Sequence, residues 1–442
     1  MELMVLFKYG CSGYKRFSKF LETSQWWPRE KLEEYQAERL RTLIKYVYEN
    51  VPYYQEIFRE RELKPEDITS VSDLRKLPIL TREDVINNFD KLIAKNISNK
   101  ERKRRLILGY TSGSTGKPMI FYRDSKYLFS SISFMIWRNN LAHIKKFCRY
   151  IKLCSRTFIE KGIKDIKLYE PLLMRLSLST VPTTMDRLEE YVWLIKRFKP
   201  TFLFGSASFL YTLACYARDK GYNDIYFRVF FSCYESLFSY QREIIERQFK
   251  CEIFNYYSFE EFLIFAVECD RHKGLHIEIR KGIMEIVGDN GEILPAGERG
   301  RIVCTGFDNE VMPLIRYETG DLGVVSGKPC SCARGLPLLI SLDGRTSEIL
   351  KYKNKYIFPS MLSGVPERIS NIKECQFMQD KEDAIKINIV KRETYSSKDT
   401  EELTEILRDT IDKELNLEIN FVNEIPRSTM GKFQFVINHL IH

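Results

Sequence analysis

A loop rich in glycine and hydroxyl side chains is the part of this 442-residue sequence that most directly suggests chemistry. Residues 109–118 read Gly-Tyr-Thr-Ser-Gly-Ser-Thr-Gly-Lys-Pro, between two apolar runs, 106–108 and 119–122, that predict short strands. Such a loop can turn tightly and point several N–H and O–H donors at one place, as a polyphosphate requires. Ser, Gly and Thr are also common in ordinary hairpin turns, so composition alone leaves the two interpretations balanced.

A second set of chemically versatile residues consists of cysteines and histidines in two short clusters. Cys269, His272 and His276 form the first cluster, and Cys330 and Cys332 form the second. Thiolates and imidazoles are preferred zinc ligands, and a metal held by two clusters joins distant segments. Free cysteines are also ordinary core residues, so a packing role stays open.

Length and charge restrict the classes of protein to consider. A chain of 442 residues is too long for one compact core, so we expect two or more domains. The excess of 69 basic over 60 acidic residues gives a formal charge of +9, which suits anionic ligands and would also help association with an acidic membrane surface. We predict no nucleic-acid partner, and the basic run 100–105 is best explained as a solvated loop.

The cysteine count and the hydropathy pattern predict a cytoplasmic protein without an integral membrane segment. The eleven cysteines are odd in number and no cleavable signal pattern precedes them, which is typical of a reducing compartment. The longest apolar stretch, 201–217, is interrupted by Gly205, Ser206 and Ser208, so it predicts a strand, a turn and a helix.

The elements that must position these residues begin with helices. Apolar residues recur at helical spacing from 13 to 60, and Asn50-Val51-Pro52 is expected to end that pattern. Thr81, with Asp84 three residues later, predicts an N-cap.

From residue 124 to 250 helical patterns alternate with short apolar strands, which indicates an α/β arrangement. Residues 202–205 and 229–231 predict buried strands. The segment 231–237 begins at the end of the second strand, where open α/β sheets bind ligands.

Farther along, an Asn290-Gly291 turn predicts a hairpin between the strands 283–287 and 300–304. The last hundred residues or so predict alternating strands and helices, with a strand at 384–390 and a helix at 399–414.

Several segments, in a fixed order, resemble the motifs of the adenylate-forming superfamily, the acyl-CoA synthetases and their relatives. These segments are 109–118, 231–237, 254–262, 313–321, 344–351 and 426–432. The opening segments 26–54 and 77–80 are similar to those of the phenylacetate–CoA ligase-like and capsule-biosynthesis branch. The resemblance extends from about residue 25 to 440.

This resemblance implies a role for each matching residue. Thr111, Glu261 and Lys432 would be catalytic, with Glu261 holding Mg²⁺ and Lys432 neutralising charge that develops between a carboxylate and the α-phosphate. Asp321 would accept hydrogen bonds from both ribose hydroxyls. The ATP- or AMP-binding residues would be Ser112, Gly113, Ser114, Thr115, Gly116, Lys117, Cys233, Tyr234, Glu235, Asn255, Tyr256, Tyr257, Ser258, Asp321 and Arg345.

Four positions depart from the family pattern. Tyr234 stands where a small residue or glycine is usual, and Ser258 stands where glycine is usual. Glu260 replaces a hydroxyl residue, and Ser347 occupies a hinge position that is often acidic or lysine. An additional carboxylate facing the phosphates is unfavourable unless a metal or a lysine offsets it.

The expected fold class is therefore α/β. A large N-terminal adenylate-forming domain, residues 1–345, would combine mixed sheets and helices, with a helical preface at about 13–100. A small mobile α+β domain, residues 346–442, would carry Lys432 and rotate about Ser347 between two half-reactions.

The implied activity is ATP-dependent activation of a carboxylic acid as an acyl-adenylate, followed by acyl transfer to CoA. One alternative acceptor is an amine of a sugar or amino acid in cell-surface polysaccharide synthesis. A second alternative, motivated by Tyr234, Ser258 and Glu260, is a catalytically silent nucleotide-binding scaffold. A homodimer is left open.

The same branch shows a cysteine before Gly-x-His and a Cys-x-Cys before Gly-Leu-Pro, as here. We therefore expect a structural Zn²⁺ with four ligands, Cys269, His276, Cys330 and Cys332, and His272 in reserve.

The pocket for the acid is expected near 204–209 and 256–259. Their aromatic residues suggest an aryl or other apolar acid, and a core role for the same residues stays open.

Overall fold

The computed structural model describes residues 2–97, 106–110, 119–144, 148–155, 158, 162–163, 165–181, 184–353, 355–369, 371–428 and 432–440. The chain divides into two compact units, each built from two separate segments. Met1–Lys146 with Tyr256–Leu342 form the first unit, and Phe147–Asn255 with Asp343–His442 form the second. The predicted domain boundary at residue 345 rests on the resemblance and stays a prediction.

The first unit begins with helices. Its α-helices are Glu2–Ser24, Arg29–Asn50, Pro52–Glu60, Arg82–Asn87 and Ser125–Leu141, and its 3₁₀ helices are Pro65–Asp67 and Val71–Lys76. The predicted helical pattern is confirmed, but Pro52 starts a new helix and does not merely end the preceding one. Proline is tolerated at the first helical position because its missing N–H needs no partner there.

The sheet of the first unit is antiparallel between the pairs whose register is defined. Its strands run in the order Gly282–Val287, Arg299–Gly306, Tyr317–Val325, Leu338–Arg345, Leu275–Ile277, Ala266–Glu268 and then the end of Glu252–Tyr257. A separate hairpin pairs Ile107–Tyr110 with Ile120–Arg123, as predicted. The predicted pairing of 283–287 with 300–304 is confirmed as well.

The N-cap predicted at Thr81 is present. The Thr81 hydroxyl accepts from the Asp84 N–H at 3.1 Å, and the Asp84 carboxylate accepts from the Thr81 N–H at 2.9 Å. The preceding Leu80 donates its N–H to the Arg316 carbonyl at 2.8 Å and accepts from the Glu318 N–H at 3.0 Å. The capped helix therefore fixes the approach to the strand Tyr317–Val325.

The second unit contains a mostly parallel sheet. Its strands run in the order Glu252–Tyr257, Val229–Ser232, Phe202–Gly205, Tyr150–Leu153, Arg175–Leu178 and Lys167–Glu170, with the last one antiparallel. The helices Met185–Phe198, Ala207–Asp219 and Ser239–Phe249 and the 3₁₀ helix Pro171–Leu173 lie in the connecting segments. The strands predicted at 202–205 and 229–231 are confirmed.

The C-terminal part of the second unit has its own four-stranded sheet. The strand order is Leu417–Phe421, Ala384–Lys391, Ile372–Lys381 and Val436–Asn438, and a two-stranded ribbon pairs Leu350–Tyr352 with Lys355–Ile357. The helices are Thr346–Glu348 (3₁₀), Pro359–Leu362, Val365–Arg368 and Ser397–Thr410. The predicted alternation of strands and helices is confirmed. Among the described helices, none combines the length and the apolar character that crossing a bilayer requires.

A buried ion pair lies in the first unit beside the strand Tyr317–Val325. The Arg316 guanidinium lies 3.2 Å from the Glu285 carboxylate, and both side chains are almost completely buried. Burial raises the pKa of Glu285 to about 7, although Arg316 opposes the shift. The carboxyl group of Glu285 therefore titrates near neutral pH in the folded chain.

Raising the pH from 5 to 8 is expected to destabilise this chain relative to its Glu285→Gln variant by about 2.5 kcal/mol. The folded state binds the Glu285 proton more tightly than the unfolded state, so this contribution is fully present below pH 4.5 and is lost as the pH rises through 7. Urea unfolding of both proteins across this pH range measures the difference. Parallel pH profiles would contradict the prediction.

Candidate active site and metal centre

The predicted phosphate loop, Thr111 to Lys117, lies outside the described residues, but the strands that carry it are described. Tyr110 pairs with Ile120, and Gly109 pairs with Phe121. A Cβ atom at Gly109 would lie 2.4 Å from the Phe121 ring, so this position requires glycine. The two ends of the loop are thus held in register by a close-packed hairpin.

Asp321 is held in a defined position by groups from neighbouring strands. The Tyr257 hydroxyl donates to the Asp321 carboxylate at 2.7 Å. The Asp321 N–H donates to the Thr319 hydroxyl at 3.1 Å, and that hydroxyl donates to the Ile302 carbonyl at 3.0 Å. Burial and the nearby Asp321 charge raise the pKa of Tyr257, so its hydroxyl remains a neutral donor. The structure thereby brings together two residues predicted to bind nucleotide.

Glu261 lies in the interior of the first unit, 4% exposed. The Tyr317 hydroxyl donates to its carboxylate at 2.8 Å, and the Tyr127 hydroxyl donates to its carbonyl oxygen. Burial raises the pKa of Glu261, the Tyr317 hydrogen bond lowers it, and the charge of Glu260 raises it further. One hard carboxylate oxygen suits Mg²⁺, which takes few protein ligands and completes its shell with phosphate and water.

The segment 231–237 is fastened to the end of a neighbouring strand. The Cys233 N–H donates to the Gly205 carbonyl at 2.9 Å. The Glu235 carboxylate accepts from the Ser206 hydroxyl at 2.6 Å and from the Ser208 N–H, at the start of the helix Ala207–Asp219. Its other oxygen, Oε2, is buried and has no hydrogen-bond partner in the described part of the chain. An amino group of a bound base would satisfy that oxygen.

Tyr234, between these two anchors, adopts a backbone conformation that tyrosine rarely takes. Its φ is +76°, its side chain is 39% exposed, and its ring contacts the edge of Phe204 at a centroid distance of 5.6 Å. A left-handed conformation costs a residue with a Cβ about 1–2 kcal/mol. The hydrogen bonds of Cys233 and Glu235 hold this strained position on both sides.

Replacing Tyr234 with glycine is expected to stabilise the folded chain by about 1 kcal/mol, because glycine adopts a positive φ without steric cost. Tyr234→Ala removes the ring but keeps the Cβ, so it should show no such gain. Urea unfolding of the three proteins tests the prediction, and equal stability of the Gly and Ala variants would contradict it.

Three other residues of the 254–262 motif, Asn255, Tyr256 and Ser258, contact the protein's own strands and side chains. Asn255 pairs with Ser232 in the parallel sheet of the second unit. The Tyr256 ring packs between Phe265, at 5.2 Å, and the Arg138 guanidinium, at 5.3 Å. The Ser258 hydroxyl donates to the Ile264 carbonyl at 3.3 Å. Tyr256 therefore has a packing role within the first unit.

Lys432 and Ser428, which flank residues 429–431, are bonded to each other. Its N–H donates to the Ser428 hydroxyl at 3.0 Å, and its carbonyl accepts from the Ser428 N–H at 3.0 Å. Arg345, at the predicted hinge, donates its N–H to the Glu348 carboxylate at 3.1 Å, which opens the 3₁₀ helix Thr346–Glu348. The prediction that Arg345 reaches a nucleotide stays a prediction.

The four residues predicted as zinc ligands converge at one place in the first unit. The ligand atoms of Cys269, His276, Cys330 and Cys332 all lie within 4.8 Å of one another. The Cys269 and Cys330 sulfurs are 3.9 Å apart, and the Cys332 sulfur is 3.3 Å from His276 Nε2. The fold thus brings the two sequence clusters together into a set of three thiols and one imidazole, which fits a tetrahedral metal ion.

Two members of this cluster, His276 and Cys332, have pKa shifts that suit metal binding, whereas burial raises the pKa of the Cys269 thiol to about 12. Burial lowers the pKa of His276 to about 4, so the imidazole is neutral and able to act as a ligand. Burial would raise the pKa of Cys332, but hydrogen bonds from Arg334 lower it below its ordinary value. His272, the predicted reserve, instead bonds the Glu268 carboxylate at 2.9 Å and lies outside the cluster.

The loop that carries Cys330 and Cys332 is anchored by the turn that precedes the helix Arg29–Asn50. The Arg334 guanidinium donates to the Gln25 side chain at 2.8 Å, and the Gly335 N–H donates to the Gln25 carbonyl at 3.1 Å. A Cβ atom at Gly335 would lie 2.0 Å from the Trp27 carbonyl oxygen, so glycine is required. The sequence gives no local signal for this contact, since 309 positions separate Arg334 from Gln25.

Sequence reasoning also missed the hydroxyl groups that support the predicted site. Tyr127 and Tyr317 hold Glu261, and Ser206 holds Glu235. Tyr317 lies in the same 313–321 motif as Asp321, so the sequence could have indicated that Tyr317 belongs to the site. Tyr127 and Ser206 belong to no motif, and only the fold brings them to the site.

Comparison with known proteins identifies the relatives of this chain. Residues 349–439 match the CapK C-terminal domain model. The chain is 26% identical to Protein CapK of Staphylococcus aureus over 426 residues, 92% of this chain and 90% of that protein. It is 26% identical to a phenylacetate-coenzyme A ligase of Thermus thermophilus over 353 residues, 76% of each protein.

Among solved structures, 2-hydroxyisobutyryl-CoA ligase in complex with R3-HIB-AMP matches with a TM-score of 0.75 at 17% sequence identity, over 94% of this chain and 93% of that chain. The predicted fold class, an α/β adenylate-forming fold with a C-terminal domain, is confirmed. These relatives confirm the resemblance to the phenylacetate–CoA ligase and capsule branch that the sequence motifs indicated.

Proposed function

We propose that this chain is an AMP-forming ligase, because it is a homologue of CapK and of the phenylacetate–CoA ligases. It activates a carboxylic acid with ATP and transfers the resulting acyl group to CoA. The reaction has two steps: the carboxylate displaces pyrophosphate from ATP to give an acyl-adenylate, and the thiol of CoA then displaces AMP.

The observation that carries this proposal is the pairing of Tyr257 with Asp321. A carboxylate fixed by a 2.7 Å hydrogen bond can accept from two vicinal hydroxyls without first being ordered, which lowers the entropic cost of binding a ribose. The buried, unbonded Oε2 of Glu235 adds an acceptor that suits the amino group of adenine.

Mg²⁺ bound to Glu261 would neutralise charge on the phosphates, and the loop 111–117 would hold the β- and γ-phosphates. Two hydrogen bonds keep Glu261 in place: the Tyr317 hydroxyl donates to its carboxylate, and the Tyr127 hydroxyl donates to its main-chain carbonyl. Its raised pKa means that it holds its charge best when a cation is nearby.

Lys432 acts in the first step. Its ammonium group neutralises the charge that develops as the carboxylate attacks the α-phosphate. The segment 346–442 then turns about Ser347, so that the acceptor replaces Lys432 at the acyl-adenylate. Arg345 contacts the ribose or the phosphate from the hinge.

The cluster of Cys269, His276, Cys330 and Cys332 binds a structural Zn²⁺. All four ligand positions are supplied by the protein, which leaves no open position for catalysis. The ion ties the loop after the strand Tyr317–Val325 to the strands Ala266–Glu268 and Leu275–Ile277.

A test of the proposed function is ATP–pyrophosphate exchange by the purified chain with Mg²⁺ and a panel of aryl, fatty and amino acids. Exchange with one acid, lost in Asp321→Ala and kept in Asp289→Ala, supports adenylation, because Asp289 is an exposed aspartate on a turn. Subsequent addition of CoA or of amino sugars distinguishes thioester from amide formation. If the chain neither exchanges pyrophosphate nor binds ATP, it is a scaffold and the proposal is wrong.

A further inference from the structure

Phe238 lies between the predicted adenine turn and the helix Ser239–Phe249. It follows Glu235 by three residues and occupies the N-cap position of that helix. Its N–H donates to the Gln241 side chain at 3.1 Å. The backbone at Phe238 is therefore tied to the first turn of the helix Ser239–Phe249.

The ring of Phe238 contacts the segment that carries Lys432. The centroids of Phe238 and Phe435 are 4.7 Å apart, and the Phe238 ring also stacks on Tyr240 at 6.0 Å with an interplanar angle of 9°. Phe435 is buried and follows Lys432 by three residues. One aromatic contact thus links two segments to which the proposed function gives nucleotide binding and catalysis.

The other end of the lysine segment is held within the C-terminal sheet region. The Arg427 guanidinium lies 2.6 Å from the Glu374 carboxylate and 4.6 Å from the centroid of the Phe433 ring. Ser428 closes the loop onto Lys432 through two hydrogen bonds. These contacts hold Arg427 and Phe433 beside Glu374 and hold Ser428 beside Lys432, all within the C-terminal region.

The contact of Phe238 with Phe435 belongs to a larger apolar cluster. Phe238 packs against the buried core of the C-terminal region. The Phe435 ring also contacts Phe377 at a centroid distance of 5.4 Å and Phe433 at 6.4 Å. A truncated side chain at position 238 would remove one of the rings that surround Phe435.

We propose that Phe238 is a positioning residue for the adenylation step: by packing on Phe435 it sets the segment 432–435, which carries Lys432, against the turn 233–237. This inference rests on the proposed function. Because Lys432 is required when the acyl-adenylate forms and is replaced when the acyl group leaves, the contact serves the first half-reaction and must be released for the second. Ordinary core packing, in contrast, would support both half-reactions equally.

The contact itself is tested by amide hydrogen exchange in the full chain without substrate. In Phe238→Ala, amides of 432–438 are expected to exchange about tenfold faster, the upper value for losing one aromatic pair. Phe238→Tyr, which keeps the ring, should exchange as the wild type does. Phe227→Ala is the matched control, because this buried ring contacts Phe249 and belongs to a different apolar cluster from Phe435. Unchanged exchange at 432–438 in Phe238→Ala would overturn the inference.

The functional role is tested by measuring the two half-reactions separately, with phenylacetate and with chemically prepared phenylacetyl-adenylate as probes. Phe238→Ala should lower ATP–pyrophosphate exchange about tenfold, whereas CoA transfer from the supplied adenylate should change less than about twofold. Equal losses in both half-reactions, as expected for Phe227→Ala, would show a structural role only. If the wild type exchanges no pyrophosphate with any acid, the proposed function fails, and hydrogen exchange still decides whether Phe238 holds the segment.

Discussion

Replacing Lys432 with alanine is expected to lower ATP–pyrophosphate exchange by about 100- to 1,000-fold, the usual loss when a single group that stabilises transition-state charge is removed. Lys432 is bonded to Ser428 through its main chain, so the substitution should leave these hydrogen bonds and the fold intact. Steady-state exchange with a saturating acid measures the loss.

The same variant should still transfer an acyl group from a supplied adenylate to the acceptor, since the proposed mechanism gives the lysine a role only in the first step. Lys413→Ala is a matched control because Lys413 is an exposed lysine of the same unit and belongs to no motif. Comparable exchange by Lys432→Ala and Lys413→Ala would falsify the catalytic assignment.

Loss of the metal is the second large effect that we expect. The purified chain should contain one zinc ion, and Cys330→Ala should contain none. Removing the ion should lower the free energy of unfolding by about 4 kcal/mol, the linkage value for a ligand present at a thousandfold excess over its Kd. Metal analysis and urea unfolding, with and without a chelator, measure both quantities.

Cys304→Ala is the control for this experiment. Cys304 is a fully buried cysteine of the same unit but not part of the metal cluster, so its loss should cost packing energy and leave the zinc content unchanged. If chelation leaves wild-type unfolding unaltered and no metal is found, the four residues form a buried thiol cluster with no ion.

Much of the candidate site could be predicted because its residues lie in motifs whose chemistry is local. Asp321 and Tyr257 belong to two such motifs, and the fold joins them although 64 positions separate them. The convergence of Cys269, His276, Cys330 and Cys332 was predictable for a similar reason: few residue types bind zinc, and only a few short combinations of cysteine and histidine occur in the chain.

The parts that could not be predicted depend on packing between distant elements. Glu235 bonds a helix N-terminus because the strands Phe202–Gly205 and Val229–Ser232 are neighbours in a parallel sheet, which no local pattern reveals. The positive φ of Tyr234 follows from those same bonds. Pro52 was expected to end a helix, and the helix Arg29–Asn50 does end just before it, but the pattern did not reveal that Pro52 also begins the next helix.

The arrangement of the first unit has a consequence for synthesis of the chain on the ribosome. Met1–Lys146 completes its unit only with Tyr256–Leu342, so all of Phe147–Asn255 is made in between. At about 5–20 residues per second, translation of 147–342 takes roughly 10–40 s. Throughout that interval the apolar faces of the N-terminal helices lack the strands that cover them, which makes the nascent chain a natural client for chaperones.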